Sequence, residues 1–143
     1  MTSSVFLDVN VWLALSTGDH MHFESAWAWY KSLPGSTVLL FCRITQLGFL
    51  RLLTTQSVMG KGTLTQAQAW DAYERMLTSG GAKFAAEPAG LESAFRSLSS
   101  APQVSPKEWA DAYLAAFSLV ADVPLITFDR ALAGKTPGAL LLN

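Results

Sequence analysis

Three carboxylates sit at the edges of apolar runs, where an unpaired charge is costly. Asp8 ends Val5-Phe6-Leu7, Asp129 ends Leu125-Ile126-Thr127-Phe128, and Asp111 interrupts Trp109-Ala110-Asp111-Ala112-Tyr113-Leu114. A buried ionised carboxylate destabilises a fold unless something pairs with it. Three that converge with few cations nearby raise one another's pKa, unless a divalent ion supplies the missing charge. The chemistry implied is a Mg²⁺ or Mn²⁺ site acting on phosphates. Each residue also has a simpler role open to it. Asp8 and Asp129 both precede candidate helices and can serve as N-caps, and Asp111 can face solvent or pair with Lys107 one turn back. Asp111 is expected mid-helix beside Ala110, Leu114 and Ala115, where no capping task exists, and that favours an inward-facing ligand. Asn10 places an amide two residues after Asp8. Thr127 either hydrogen-bonds a ligand carboxylate or fills a strand position.

The elements that must position these groups alternate. Val5 to Leu7 reads as a short strand, followed by one or two helical turns that stop near Gly18. Phe23, Ala26, Trp27 and Tyr30 form the i, i+3, i+4, i+7 stripe of an amphipathic helix, ended by Pro34-Gly35. Val38 to Phe41 reads as a fully buried strand, and Ile44 to Leu53 as a helix with so narrow a polar side that more than one face should be packed. Gly60-Lys61-Gly62 is a loop, after which Thr63 or Thr65 caps a helix reaching about Leu77. Lys83 to Ala86 is a weaker strand and Gly90 to Leu98 a short helix. Ser105-Pro106 signals the start of a helix to about Val120, with Trp109, Tyr113, Phe117 and Val120 on one face. Leu125 to Phe128 and Ala139 to Leu142 complete the strands. Apolar strands alternating with helices predict a single α/β domain, a parallel sheet covered on both faces. Sites in such folds gather at the carboxyl ends of the strands, where Asp8 and Asp129 fall.

Composition narrows the classes. Half of the 143 residues are hydrophobic and 15% are charged, yet no uninterrupted apolar run is long enough to span a membrane. The apolar excess, with five Trp, therefore points to a protein interface. Cys42 is the one cysteine, which excludes an internal disulfide and fits a cytoplasmic setting, and the N-terminus lacks the basic segment of a signal peptide. With net charge −1 and no block of Lys or Arg, broad electrostatic binding of nucleic acid is disfavoured, though a small catalytic cleft is not. His20 and His22 lack further metal-ligand types nearby, Gly60-Lys61-Gly62 lacks phosphate-loop spacing, and Trp27, Trp29 and Tyr30 suit core or interface better than base stacking. No nucleophilic triad is indicated.

Four segments then carry a resemblance over essentially the whole chain. Phe6-Leu7-Asp8-Val9-Asn10-Val11-Trp12-Leu13, Arg43-Ile44-Thr45-Gln46-Leu47-Gly48-Phe49-Leu50-Arg51-Leu52, Trp109-Ala110-Asp111-Ala112-Tyr113-Leu114-Ala115-Ala116 and Thr127-Phe128-Asp129-Arg130 resemble, in order, the motifs of PIN-domain ribonucleases, and more narrowly VapC-type toxins. The resemblance implies a three-layer α/β/α domain with about five parallel strands. It also implies a cytoplasmic endoribonuclease toxin acting on structured RNA such as tRNA or rRNA, silenced by a cognate antitoxin, and a homodimer. Asp8, Asp111 and Asp129 would ligate Mg²⁺ or Mn²⁺, with Asn10 and Thr127 alongside and Arg43 and Arg130 as candidate RNA contacts. The family's usual glutamate after the second strand is matched here by Gln46, a neutral amide that orients water without balancing metal charge. Glu108, one turn before Asp111, is a candidate substitute. Two alternatives stay open: a PIN-like module that binds RNA or protein without cutting, and a phosphatase of the haloacid dehalogenase type, which wants an Asp where Asn10 stands.

Overall fold

The computed structural model of the chain describes residues 3–143. Its strands are β1 (Ser4–Leu7), β2 (Val38–Phe41), β3 (Ala82–Phe84), β4 (Leu125–Thr127) and β5 (Leu140–Leu141). Its helices are α1 (Val9–Ser16), α2 (Phe23–Ser32), α3 (Arg43–Leu53), α4 (Gln56–Met59), α5 (Gln66–Ser79), α6 (Leu91–Leu98), α7 (Glu108–Ala121) and α8 (Arg130–Lys135), with one 3₁₀ turn at Gly60–Gly62. The sheet order is β3-β2-β1-β4-β5 and every pairing is parallel. The chain thus builds outward from β1 through β2 to β3, then returns to the other side of β1 for β4 and β5. That reversal opens a crevice between the carboxyl ends of β1 and β4.

Alternation along each strand divides the apolar residues between two layers. Leu7, Leu39, Phe41 and Ile126 pack with Val11, Trp12, Phe49, Leu53 and Tyr73 from the helices α1, α3 and α5. Phe6 and Leu125 pack instead with Leu91, Leu114, Phe117 and Leu132 from α6, α7 and α8. Trp12 stacks on Phe41 at 3.7 Å between ring centroids, and Phe6 on Phe117 at 4.6 Å. This is the expected three-layer arrangement.

Local signals explain most boundaries. Thr65 accepts from the Gln68 amide at 3.1 Å while Gln68 accepts from the Thr65 amide at 2.9 Å, so α5 opens with two of its orphan donors satisfied. α1 and α3 approach closely at Gly48, where a Cβ would meet Val9 Cγ2 at 2.8 Å. One expectation fails. α7 begins at Glu108, because Ser105 to Glu108 closes a turn of its own through a Glu108 N–H to Ser105 carbonyl bond of 3.2 Å. Asp111 therefore lies in the first helical turn rather than mid-helix. α3 buries Thr45, Gln46, Phe49 and Leu53 against its neighbours, while Ile44 and Leu47 stay exposed, as does Trp70 on α5. Among the described residues no helix is long and apolar enough to cross a membrane.

Candidate active site

The β1/β4 register sets the site. Phe6 pairs with Leu125 and Leu7 with Ile126, so Asp8 emerges beside Thr127, and the Asp8 N–H donates to the Ile126 carbonyl at 3.0 Å. Asp8 does cap α1: Oδ1 accepts from the Val9 N–H at 2.8 Å. Its second oxygen, Oδ2, accepts from the Thr127 hydroxyl at 2.8 Å. Thr127 Oγ1 in turn accepts the Asp129 N–H at 2.9 Å, so one fully buried threonine fixes both strand-end residues. Asp129 caps α8, with Oδ1 accepting from the Leu132 N–H at 3.1 Å. The simpler role and the chemical one thus coexist, since each capping carboxylate retains lone pairs toward the crevice.

Burial pushes the Asp8 carboxyl above its ordinary range, and the negative charges of Asp129 and then Asp111 push the same way, while the Thr127 hydroxyl and Val9 amide pull down. Asp8 therefore feels the charge of both other carboxylates. The cation nearby is Lys135 at the end of α8, whose Nζ lies 2.5 Å from Glu108 Oε1 and 3.4 Å from Asp111 Oδ2. This hydrogen bond holds the Glu108 carboxyl below its ordinary range and raises the Lys135 ammonium. Asp111 thus pairs with Lys135 rather than with Lys107, the alternative partner one turn back. Nothing in the local sequence marked Lys135 for the site; the short helix from Asp129 folds it back onto α7.

Among the described residues, no group of three His, Cys, Asp or Glu side chains lies close enough together to hold a metal ion as it stands. The donor type nevertheless suits a hard divalent cation: Asp8 and Asp129 are both hydrogen-bonded to the Thr127 hydroxyl, and Asp111 is paired with an ammonium group.

The remaining candidates separate from this group. Gln46 is buried, with Oε1 accepting from Arg43 at 2.6 Å, and its amide also faces Tyr73, whose phenol burial pushes up. Arg43 additionally lies over the Phe84 ring at 4.5 Å, so it is tethered rather than free to reach. Asn10 and Arg130 are exposed on the first turns of α1 and α8. His22 stacks on Phe128 at 4.2 Å, and its backbone N–H donates to His20 Nδ1 at 3.0 Å.

Residues 5–135 match the family model described as PIN domain. The chain belongs to the PIN family. It is 41% identical to Ribonuclease VapC41 of Mycobacterium tuberculosis over 87% of this chain and 88% of that protein, which places it in the VapC branch. In fold it is similar to a crystal structure of the Mycobacterium tuberculosis sarcin–ricin loop cleaving toxin VapC20, with TM-score 0.72 and 15% identity, covering 97% of this chain and 99% of that one. It is also similar to VapBC2 from Rickettsia felis bound to a promoter DNA fragment, with TM-score 0.69 and 10% identity, covering 98% of this chain and 99% of that one. Membership of the PIN family removes the haloacid dehalogenase-type alternative.

Proposed function

We propose that this PIN protein is a Mg²⁺- or Mn²⁺-dependent endoribonuclease toxin that hydrolyses phosphodiester bonds in structured RNA. The observation that carries this is the strand-end pair Asp8 and Asp129, both hydrogen-bonded to the buried Thr127 hydroxyl. Burial and the charges of Asp129 and Asp111 push the Asp8 carboxyl above its ordinary range. Such crowding suits a site completed by a cation. Asp8, Asp111 and Asp129 would hold it, and the ion when bound supplies positive charge against the reacting phosphate and acidifies water. Thr127 holds Asp8 and Asp129 in register, so both carboxylates are preorganised. Asn10 stands ready beside Asp8 to orient water or phosphate. Glu108 adds negative charge at the same end of α7, shared with Lys135. Arg130, at the mouth of the crevice, is the better placed of the two arginines for a phosphate, because Arg43 is already engaged. The names of VapC41 as a ribonuclease and VapC20 as a sarcin–ricin loop cleaving toxin support the substrate class.

A cognate antitoxin and a second copy of the chain are the proposed partners. The complex that VapBC2 of Rickettsia felis represents supports the first, and exposed Leu47 on α3 and Trp70 on α5 supply an apolar face for the second. The alternative, a PIN module that binds without cutting, is favoured by the engagement of Gln46 with Arg43.

The deciding experiment is incubation of total RNA with purified, antitoxin-free protein in Mn²⁺, Mg²⁺ or EDTA, beside Asp111→Asn. Metal-dependent cleavage lost in the variant is the expected result. A folded protein that binds RNA yet cuts nothing would establish the binding module instead. Calorimetry adds a second check. Lys135→Met is expected to tighten Mn²⁺ binding roughly three- to tenfold, since the ammonium no longer competes for Asp111. Unchanged affinity would mean that the ion pair lies outside the metal's reach.

A further inference from the structure

The start of α7 borders two cavities that meet. One, of about 280 Å³, touches Asp111 and Lys135. The other, of about 400 Å³, runs past Gln103, Val104 and Trp109. Leu98 and Glu108 wall both, so the second is an extension of the cavity beside Asp111. Trp109, on the aromatic face of α7, is 58% exposed. Its ring is nevertheless fixed. Phe95 meets it edge-on at 6.2 Å, Tyr113 holds Phe95 edge-on at 5.7 Å, and the Tyr113 hydroxyl donates to Glu87 at 2.7 Å. A large aromatic face is therefore held rigid and open to solvent beside the candidate ligands.

We propose that this extension is a nucleobase subsite, in which an unpaired base next to the scissile phosphate stacks on Trp109. The proposal rests on the ribonuclease reading above and adds to it a requirement for a locally single-stranded substrate. Stacking on a fixed aromatic face suits a base of any identity, because every base has a π-face. The Gln103 amide on the same wall offers a donor and an acceptor to a base edge. A purely apolar partner segment would leave that amide unpaired, which costs affinity. Continuity with Asp111 also favours substrate, since whatever fills the extension lies within the substrate's path.

The test uses a short unstructured oligoribonucleotide carrying 2-aminopurine, titrated into Asp8→Asn protein so that binding is read without cleavage. Stacking on Trp109 quenches the probe. Adding Trp109→Ala is expected to weaken binding roughly five- to hundredfold and to abolish the quench, whereas Trp109→Phe retains both in large part. Equal binding and quenching by the alanine variant would overturn the subsite. So would loss of a protein partner in Trp109→Ala with RNA binding intact, which would make the surface a protein interface. Separately, if wild-type protein neither binds nor cuts RNA with Mn²⁺ present, the ribonuclease reading itself falls, and the subsite falls with it.

Discussion

Asp8→Asn is expected to abolish RNA cleavage and, in the absence of divalent metal, to raise the thermal midpoint at pH 7. The loss of activity should be about a thousandfold or more, since ion-supplied charge stabilisation is worth several kcal/mol and about 1.4 kcal/mol is a decade in rate. The gain in stability follows from the same carboxylate. Burial and the charges of Asp129 and Asp111 raise its pKa in the fold, despite the bonds from Thr127 and Val9. The folded state then binds its proton more tightly than the unfolded chain does. Below the ordinary value of 3.8 both states are protonated and Asp8 costs nothing. As pH rises from there through the raised folded value, the ionised group costs progressively more, and the cost persists at pH 7. Asparagine keeps the shape without the charge. The variant's advantage should therefore appear at neutral pH and vanish in acid, and Mn²⁺ should stabilise wild type but not the variant. Scanning calorimetry at pH 3.5 and 7, with and without Mn²⁺, checks all three. A variant less stable than wild type at pH 7 would show that the Thr127 and Val9 bonds outweigh the repulsion.

How much of this was legible in the chain depends on whether a residue's role is local. Asp8 and Asp129 were found from sequence because an apolar run that stops at a carboxylate marks the end of a buried strand. Their capping bonds and their convergence both follow from that position. Asp111 was found as an anomaly in an apolar helix, but its place in the helix was misjudged. Ser105-Pro106 looks like a helix start, and only packing decides that the turn there closes separately. The pairing of Lys135 with Asp111 and the exposure of Trp109 were not legible, since the first joins residues distant in sequence and the second is revealed by no periodicity. For Gln46 the sequence showed the departure from the usual glutamate. The structure adds its consequence, an amide taken up by Arg43 within a buried corner beside Tyr73.

The second large effect lies in the core that holds Asp8 in place. Trp12 follows Asp8 by one helical turn, is 1% exposed, and stacks on Phe41 with ring planes 7° apart. Phe41 continues the contact to Phe49 on α3 and to Tyr73 on α5. Truncating such an aromatic removes its own burial and leaves a cavity that rigid neighbours on three elements cannot close, so Trp12→Ala should cost about 3–5 kcal/mol. Against a total of about 5–15 kcal/mol for a domain, that puts the fold at risk near physiological temperature. Phenylalanine should behave differently. The Trp12 indole N–H is buried without a hydrogen-bond partner, and an orphan donor costs about 1–3 kcal/mol. Trp12→Phe removes that donor while keeping a ring against Phe41, so the lost volume and the relieved donor offset each other to within about 1.5 kcal/mol. Urea titrations of both variants separate the two contributions. If alanine cost under about 1 kcal/mol, the stack would carry little of the core's stability. If phenylalanine cost as much as alanine, the indole N–H would have to be satisfied in solution, most simply by a water reaching it from the adjoining cavity of about 210 Å³ that Trp12 shares with Trp27.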